Sequence, residues 1–438
     1  MVLLCDGRLV CGCADPYAKR VLGDTRHASV SAVWTGEVAT ALRRDLNAGG
    51  SKFCGDCPLK LPLKNTAPPV RDVNVGALPA RLYVECTAAC NISCDQACCA
   101  PETGITRTRQ AGMLDFALFT RVVDEAAPSL VRIDFFNYGE TFLHKRAIEM
   151  CEYIKSRFPH VYLYTSTNGL AFNEDQARRL ARSGIDEVTF SIDGATPDTY
   201  AIYRKRGDFD KAIRNLAAMV SEKRDRGLDV PYVNWRYILF RHNDSDDEMN
   251  RARQKAAEIG VDRLCWEITD HPENMFSRRF VPGSPGYAAI RHEIWDDNNL
   301  GNAIPGATPA ARIAVRGSWL GEWTRRPLRA RPHEPLHVRT LVTNLSTRAF
   351  PAQASYGRRL VRLGAQLCSH DGTVINRDFE RAWLPAHLPG GATTEIPITI
   401  TTPDTPGRYM LKFDLVSEGI DWFEACGSKT TMKELVVV

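Results

Sequence analysis

The chain has 438 residues, 44% apolar and 25% charged, a balance that excludes disorder and collagen-like repeats. Its formal charge of +4, from 56 basic and 52 acidic residues, is too small to mark a nucleic-acid-binding protein by charge alone, and no nucleic-acid partner is expected. No apolar run approaches the roughly 20 residues that span a bilayer. Met1 to Asp6 lacks the basic and apolar pattern of a signal peptide, so no membrane span and a cytoplasmic location are expected.

Ten of the 14 cysteines fall in the first 99 residues, where an even spread would place about three. Residues 1–68 are turn-rich and hold Cys5, Cys11, Cys13, Cys54 and Cys57, followed by a proline-punctuated linker. Such a segment is expected to bury little core and to lean on a bound metal or cluster. Cys11, Cys13, Cys54 and Cys57 supply four thiolates, which on spacing alone suit a structural zinc and an iron–sulfur cluster about equally.

Residues 80–270 alternate between strand and helix patterns. Strands are predicted at 82–85, 131–136, 161–164, 187–191, 232–240 and 263–267. Leu143, Ala147, Cys151, Ile154 and Phe158 keep to one helical face. Asn173 and Gln176 make a capping-box start, and a third helix through Met249, Ala252, Ala256 and Ile259 stops at Gly260. Six strands and five helices in alternation predict an α/β fold, either a parallel sheet or a partial (βα)6 barrel, with chemistry at the C-terminal strand ends. Residues 271–308 gather prolines and glycines and read as a lid or linker. Residues 309–438 alternate, as at Val338, Thr340 and Val342 and from Tyr409 to Leu415, which predicts an antiparallel β-sandwich.

The first strand of the alternating region runs into Glu85-Cys86-Thr87 and then Cys90-Asn91, Cys94, Cys98 and Cys99. A cubane cluster bound by three thiolates keeps one iron open for another ligand. Asn137-Tyr138-Gly139-Glu140-Thr141 follows the second strand, Thr165 to Gly169 the third, and Ser191-Ile192-Asp193-Gly194 the fourth, with Tyr203-Arg204 before Gly207-Asp208-Phe209. On these motifs the region resembles the radical S-adenosylmethionine (SAM) superfamily.

The resemblance implies a SAM-binding [4Fe-4S] cluster on Cys90, Cys94 and Cys98, and SAM contacts from Tyr138, Gly139, Glu140, Ser166, Asn168, Ser191, Asp193 and Arg204. The family's last cysteine gap is usually two residues and here is three, which leaves Cys98 and Cys99 as alternatives; Thr141 stands where the family has proline. Ser191 and Asp193 serve equally well as a turn with Gly194. By residue type alone Arg204 and Arg206 read as solvated charges, although Arg204 holds the family position, and His144 reads as helix surface. Arg236 and Glu267, on late strands, are candidate substrate-facing catalytic residues or halves of a structural ion pair. Cys151, Cys265, Cys368 and Cys426 read as packing.

Asp6 to Cys11, Leu22-Gly23-Asp24, Val33-Trp34 and Cys54-x2-Cys57 resemble the auxiliary-cluster SPASM or twitch module, which implies an auxiliary [4Fe-4S] cluster on Cys11, Cys13, Cys54 and Cys57, with Cys5 as a substitute. That module usually follows the barrel. The C-terminal region, through Leu384-Pro385, Pro406 to Tyr409 and Phe413 to Phe423, resembles β-domains of polysaccharide-export and sugar-transfer proteins. Together the resemblances imply a radical SAM oxidoreductase or epimerase for a sugar or sugar-linked small molecule, with a flavodoxin or ferredoxin as reducing partner. A ribosomal peptide substrate is one alternative. A non-catalytic metal-binding scaffold with a glycan-binding sandwich is the other.

Overall fold

A computed structural model describes residues 1–12, 15, 17–47, 76–94, 112–270, 272–295, 311–316, 327–346, 349–352, 360–417, 421–426 and 428–438. The expected ligands Cys13, Cys54, Cys57 and Cys98, and the alternative Cys99, lie outside these residues, as does the side chain of Cys426. The chain divides into two compact units, Met1–Arg279 and Phe280–Val438, with the division inside the expected lid or linker.

The first unit is built on one nine-stranded sheet. Its strands in chain order are β1 (Val2–Leu3), β2 (Arg8–Val10), β3 (Val21–Asp24), β4 (Arg81–Val84), β6 (Arg132–Asp134), β7 (Tyr162–Thr167), β8 (Glu187–Ser191), β10 (Tyr232–Ile238) and β11 (Arg263–Glu267). Two further short strands, β5 (Ser93–Cys94) and β9 (Arg204–Lys205), pair only with each other. Strands β4, β6, β7, β8, β10 and β11 lie side by side in that order, every pair parallel. All of β8 is buried, as expected for a parallel strand covered on both faces.

The crossovers are helical: α3 (Phe116–Ala126), α4 (Ala147–Arg157), α5 (Glu174–Arg182), α6 (Pro197–Tyr203) with α7 (Phe209–Asp225), and α8 (Asp246–Ile259). Two shorter helices, α1 (Val30–Thr35) and α2 (Glu37–Asn47), precede them. The Asn173 side chain accepts from Gln176 N at 2.9 Å while Gln176 Oε1 accepts from Asn173 N, so α5 starts with the capping box its sequence announces. Helix α8 ends at Gly260 with φ of 81°, a conformation that favours glycine. With every central strand parallel, the loops after β4, β6, β7 and β8 leave one rim of the sheet.

The N-terminal segment departs from expectation. Its described part is not a core-poor appendage: β1 pairs in parallel with β4, Val2 beside Tyr83 and Leu3 beside Val84, and the β2–β3 hairpin continues the sheet. Val2, Leu3, Leu4, Leu9 and Val10 are fully buried. The physical reason is the edge of β4, whose amides would otherwise lack partners. Helix α1 docks through Val30 N, which donates to Glu125 on α3 at 2.7 Å.

The second unit opens with the short helix α9 (Pro285–Ile290). Its strands are β12 (Ala311–Arg316), β13 (Leu328–Ala330), β14 (Pro335–Asn344), β15 (Val361–Ser369), β16 (Val374–Trp383), β17 (Thr393–Thr401), β18 (Gly407–Ser417), β19 (Asp421–Trp422) and β20 (Thr431–Val437). Strands β12, β14 and β17 form one sheet and the rest a second, and the two share one apolar core that includes Val342, Phe350, Ile396, Phe413 and Phe423. Trp422 is also buried, with Arg381 stacked 4.2 Å over its ring, so neither Trp422 nor Phe423 offers a sugar platform.

Candidate functional site

Three loops meet at the rim of the first unit. A Cβ on Gly139 would lie 2.0 Å from the Thr87 carbonyl oxygen and 2.7 Å from that of Ala89, so only glycine lets the loop after β6 pass the start of the cysteine loop. Glu140 N donates to Ala89 O at 2.8 Å and fixes that contact.

Glu140 is buried, and its carboxylate is already held by three donors: Thr167 Oγ1 at 2.7 Å, Asn168 N at 2.8 Å and Phe142 N at 3.3 Å. Burial pushes its pKa above the usual carboxylate value, while the donors from Asn168, Thr167 and Phe142 oppose the rise. A carboxylate accepts about four hydrogen bonds, which leaves Glu140 capacity for an ammonium from a ligand. Asn168 bridges to the cysteine loop, with Nδ2 at 2.8 Å from Asn91 Oδ1 and 3.8 Å from Cys90 Sγ.

One pocket of about 310 Å³ gathers these groups. Cys90, Tyr138, Gly139, Glu140, Ser166, Asn168, Ser191, Arg204 and Arg236 all line it, nine of the residues anticipated from sequence. Ser166 Oγ lies 3.3 Å from Ser191 Oγ, which also accepts from Arg236 at 3.0 Å. Asp193 and Glu267 are not part of the lining. Asp193 is buried behind it against Arg204, with Nε to Oδ2 at 2.5 Å, and also accepts from Ile238 N. Glu267 pairs with Arg236 at 3.1 Å, so these two are halves of one ion pair, with only Arg236 on the pocket wall.

Two readings by residue type are corrected. Arg204 is buried, not solvated, because Asp193 supplies a buried counter-charge. His144 is also buried: Nδ1 accepts from Arg146 N at 3.1 Å, which leaves Nε2 to donate to Leu114 O at 2.9 Å. It closes a turn and stays out of the pocket. Sequence reasoning passed over Asn137, a pocket residue whose Nδ2 donates to the buried Glu85 at 2.8 Å; the other Glu85 oxygen faces Cys5 N at 3.4 Å. Glu85 therefore ties the N-terminal segment to the glycine loop. Thr167 was overlooked as well, and its position between two anticipated residues was the available signal.

Among the described cysteines, Cys94 is buried and Cys90 and Cys11 are partly exposed. Cys5, Cys86, Cys151, Cys265 and Cys368 are buried. Cys86 packs against Met150 with sulfurs 3.9 Å apart. No group of three or more metal-ligating side chains occurs among the described residues.

Residues 84–254 match the family model of the radical SAM superfamily. The first unit therefore contains a radical SAM domain. GTP 3',8-cyclase of Desulforamulus reducens is 30% identical over 135 residues, 31% of this chain and 41% of that protein. Mycofactocin maturase of Mycobacterium ulcerans is 33% identical over 189 residues, 42% of this chain and 47% of its own. The chain thus spans less than half the length of either relative. Streptococcus suis SuiB bound to S-adenosylmethionine aligns at 12% identity and a TM-score of 0.36, over 51% of this chain and 45% of that one.

Radical SAM domains use a [4Fe-4S] cluster and SAM. The residues of this radical SAM domain fit both: Cys90 lines the pocket, Cys94 lies buried against the pocket residue Arg204, and the buried Glu140 presents spare acceptor capacity to an amino group. Within it, no helix among the described residues is long and apolar enough to cross a membrane.

Proposed function

We propose that the chain is a radical SAM enzyme that removes hydrogen from a carbon of a sugar or sugar-linked substrate, with dehydrogenation or epimerisation as the outcome. The observation that carries this reading is the convergence of Cys90, Glu140, Asn168, Ser191 and Arg236 on one pocket. When bound, the reduced cluster and SAM supply a 5'-deoxyadenosyl radical able to attack an unactivated C–H bond.

Cys90, Cys94 and Cys98 would hold the cluster by three thiolates. Glu140 would accept from the SAM ammonium, and Ser166, Asn168 and Ser191 would orient the ribose and carboxylate. Arg236, neutralised by Glu267, would present hydrogen-bond donors to the substrate without placing a net charge on the pocket wall. Cys11, Cys13, Cys54 and Cys57 would close an auxiliary [4Fe-4S] cluster that passes the substrate electron onward. The sugar reading rests on the resemblance of the C-terminal region, an associational argument. Similarity to mycofactocin maturase supports a second reading, a peptide substrate.

Two measurements test the proposal. Anaerobic reconstitution should give about eight irons per chain, and replacing Cys90, Cys94 and Cys98 together should remove about four. Nucleotide sugars deuterated on the ring should then pass deuterium to 5'-deoxyadenosine. Transfer from a deuterated peptide and from no sugar would overturn the substrate assignment.

A further inference from the structure

We infer that Arg204 is a positioning and tuning residue for the cluster thiolate of Cys94, and not primarily a ligand for SAM. The inference rests on the radical SAM reading of the cysteine loop. Strands β5 and β9 pair antiparallel, Ser93 opposite Lys205 and Cys94 opposite Arg204, so a two-residue ladder clamps the cysteine loop to the segment after α6. Two side chains repeat the clamp. Arg206, held at φ of 63°, donates to Ser93 Oγ, and Arg204 Nη1 lies 3.3 Å from Cys94 Sγ.

The Arg204 guanidinium is oriented before any ligand arrives. Its side chain is 5% exposed and that of Asp193 is fully buried, with Nε to Oδ2 at 2.5 Å. Asp193 is held in turn by Ile238 N at 2.8 Å, and its carbonyl accepts from Asn243 at 3.1 Å. Arginine stays protonated at any working pH; its pairing with Asp193 leaves the two together close to neutral, so what reaches Cys94 is the directed, charge-assisted N–H donor of Nη1 and not a net charge. Hydrogen bonds to cluster sulfurs and nearby charge are among the factors that set cluster potentials. Reduction adds one electron, here from dithionite, and no proton is required. The Nη1–H donor to Cys94 Sγ would favour the more negative, reduced form of the cluster and so raise its midpoint potential.

The test is a redox titration of the reconstituted full chain without SAM, followed by electron paramagnetic resonance. Arg204→Met should move the midpoint to more negative potential by about 59 mV or more, a tenfold change for one electron, and Arg204→Lys should recover part of it. An unchanged midpoint in Arg204→Met, whether or not SAM binding weakens, overturns the inference and leaves the radical reading intact. A wild-type chain with no reducible cluster overturns both. Should Arg204→Met fail to load iron, Arg204→Lys and Arg204→Gln are compared at equal folded fraction. Loading by Lys and not by Gln supports a charge-assisted donor, and equal loss in both overturns it.

Discussion

At the scale of single residues, the site is legible where chemistry is local and hidden where burial depends on distant partners. Gly139-Glu140 announced itself because a glycine beside a carboxylate at a strand end suits close approach and an ammonium. Arg204 was marked only by its family position, and neither its burial nor that of His144 was legible from residue type, since burial there depends on Asp193 and on the Leu114 carbonyl. Glu140→Gln should weaken SAM binding about ten- to hundredfold, the loss of one charge-assisted hydrogen bond worth roughly 1.5–3 kcal/mol; equilibrium dialysis with labelled SAM checks it. In the second unit, burial raises the Asp414 pKa to about 7 from 3.8, against the N–H groups of Glu424 and Leu415 that favour its charged form. Folding therefore favours the protonated acid. This stabilisation is complete below about 3.8 and is lost as pH rises through about 7, at about 1.4 kcal/mol per unit in that window. Hydrogen exchange across β18 in the full chain should show protection falling over that range beyond the intrinsic rate change, and Asp414→Asn should flatten the trend.

At the scale of elements, the predicted strands coincide with β4, β6, β7, β8, β10 and β11, two of them, β8 and β11, residue for residue. Long apolar runs bounded by caps and glycines make such elements visible. Strand β1 escaped because it has two residues and its partner β4 lies about 80 positions away, a pairing no local pattern encodes. If the N-terminal segment belongs to the same cooperative unit, Leu4→Ala, in the cluster with Val2, Val10 and Tyr83, should destabilise the whole first unit by about 2–5 kcal/mol. Denaturant unfolding followed by tryptophan fluorescence checks this; loss confined to residues 1–47 would show a separately folding module. Gly139→Ala should be worse for function than for stability, because the clash with Thr87 O displaces the cysteine loop itself. Its iron content should fall by about half, the share of one of two cubanes.

At the scale of the whole molecule, the motifs at the strand ends resemble the radical SAM superfamily and the alternation from residue 309 onward predicts an all-β region; the chain falls into two compact units, Met1–Arg279 and Phe280–Val438. The substrate was less legible. Its proposed determinants are Arg236 and the surrounding pocket, whose lining comes from residues spread between positions 90 and 236 and brought together only by the parallel sheet. Fold pattern places such a rim but does not say what enters it. The activity proposed for this rim is to bind SAM against a three-thiolate cluster and cleave it. The most direct measurement is 5'-deoxyadenosine formed from SAM by the dithionite-reduced, iron-reconstituted chain. Steady production by the wild type, abolished when Cys90, Cys94 and Cys98 are replaced together, is the predicted result. A colourless zinc protein that leaves SAM intact would contradict it.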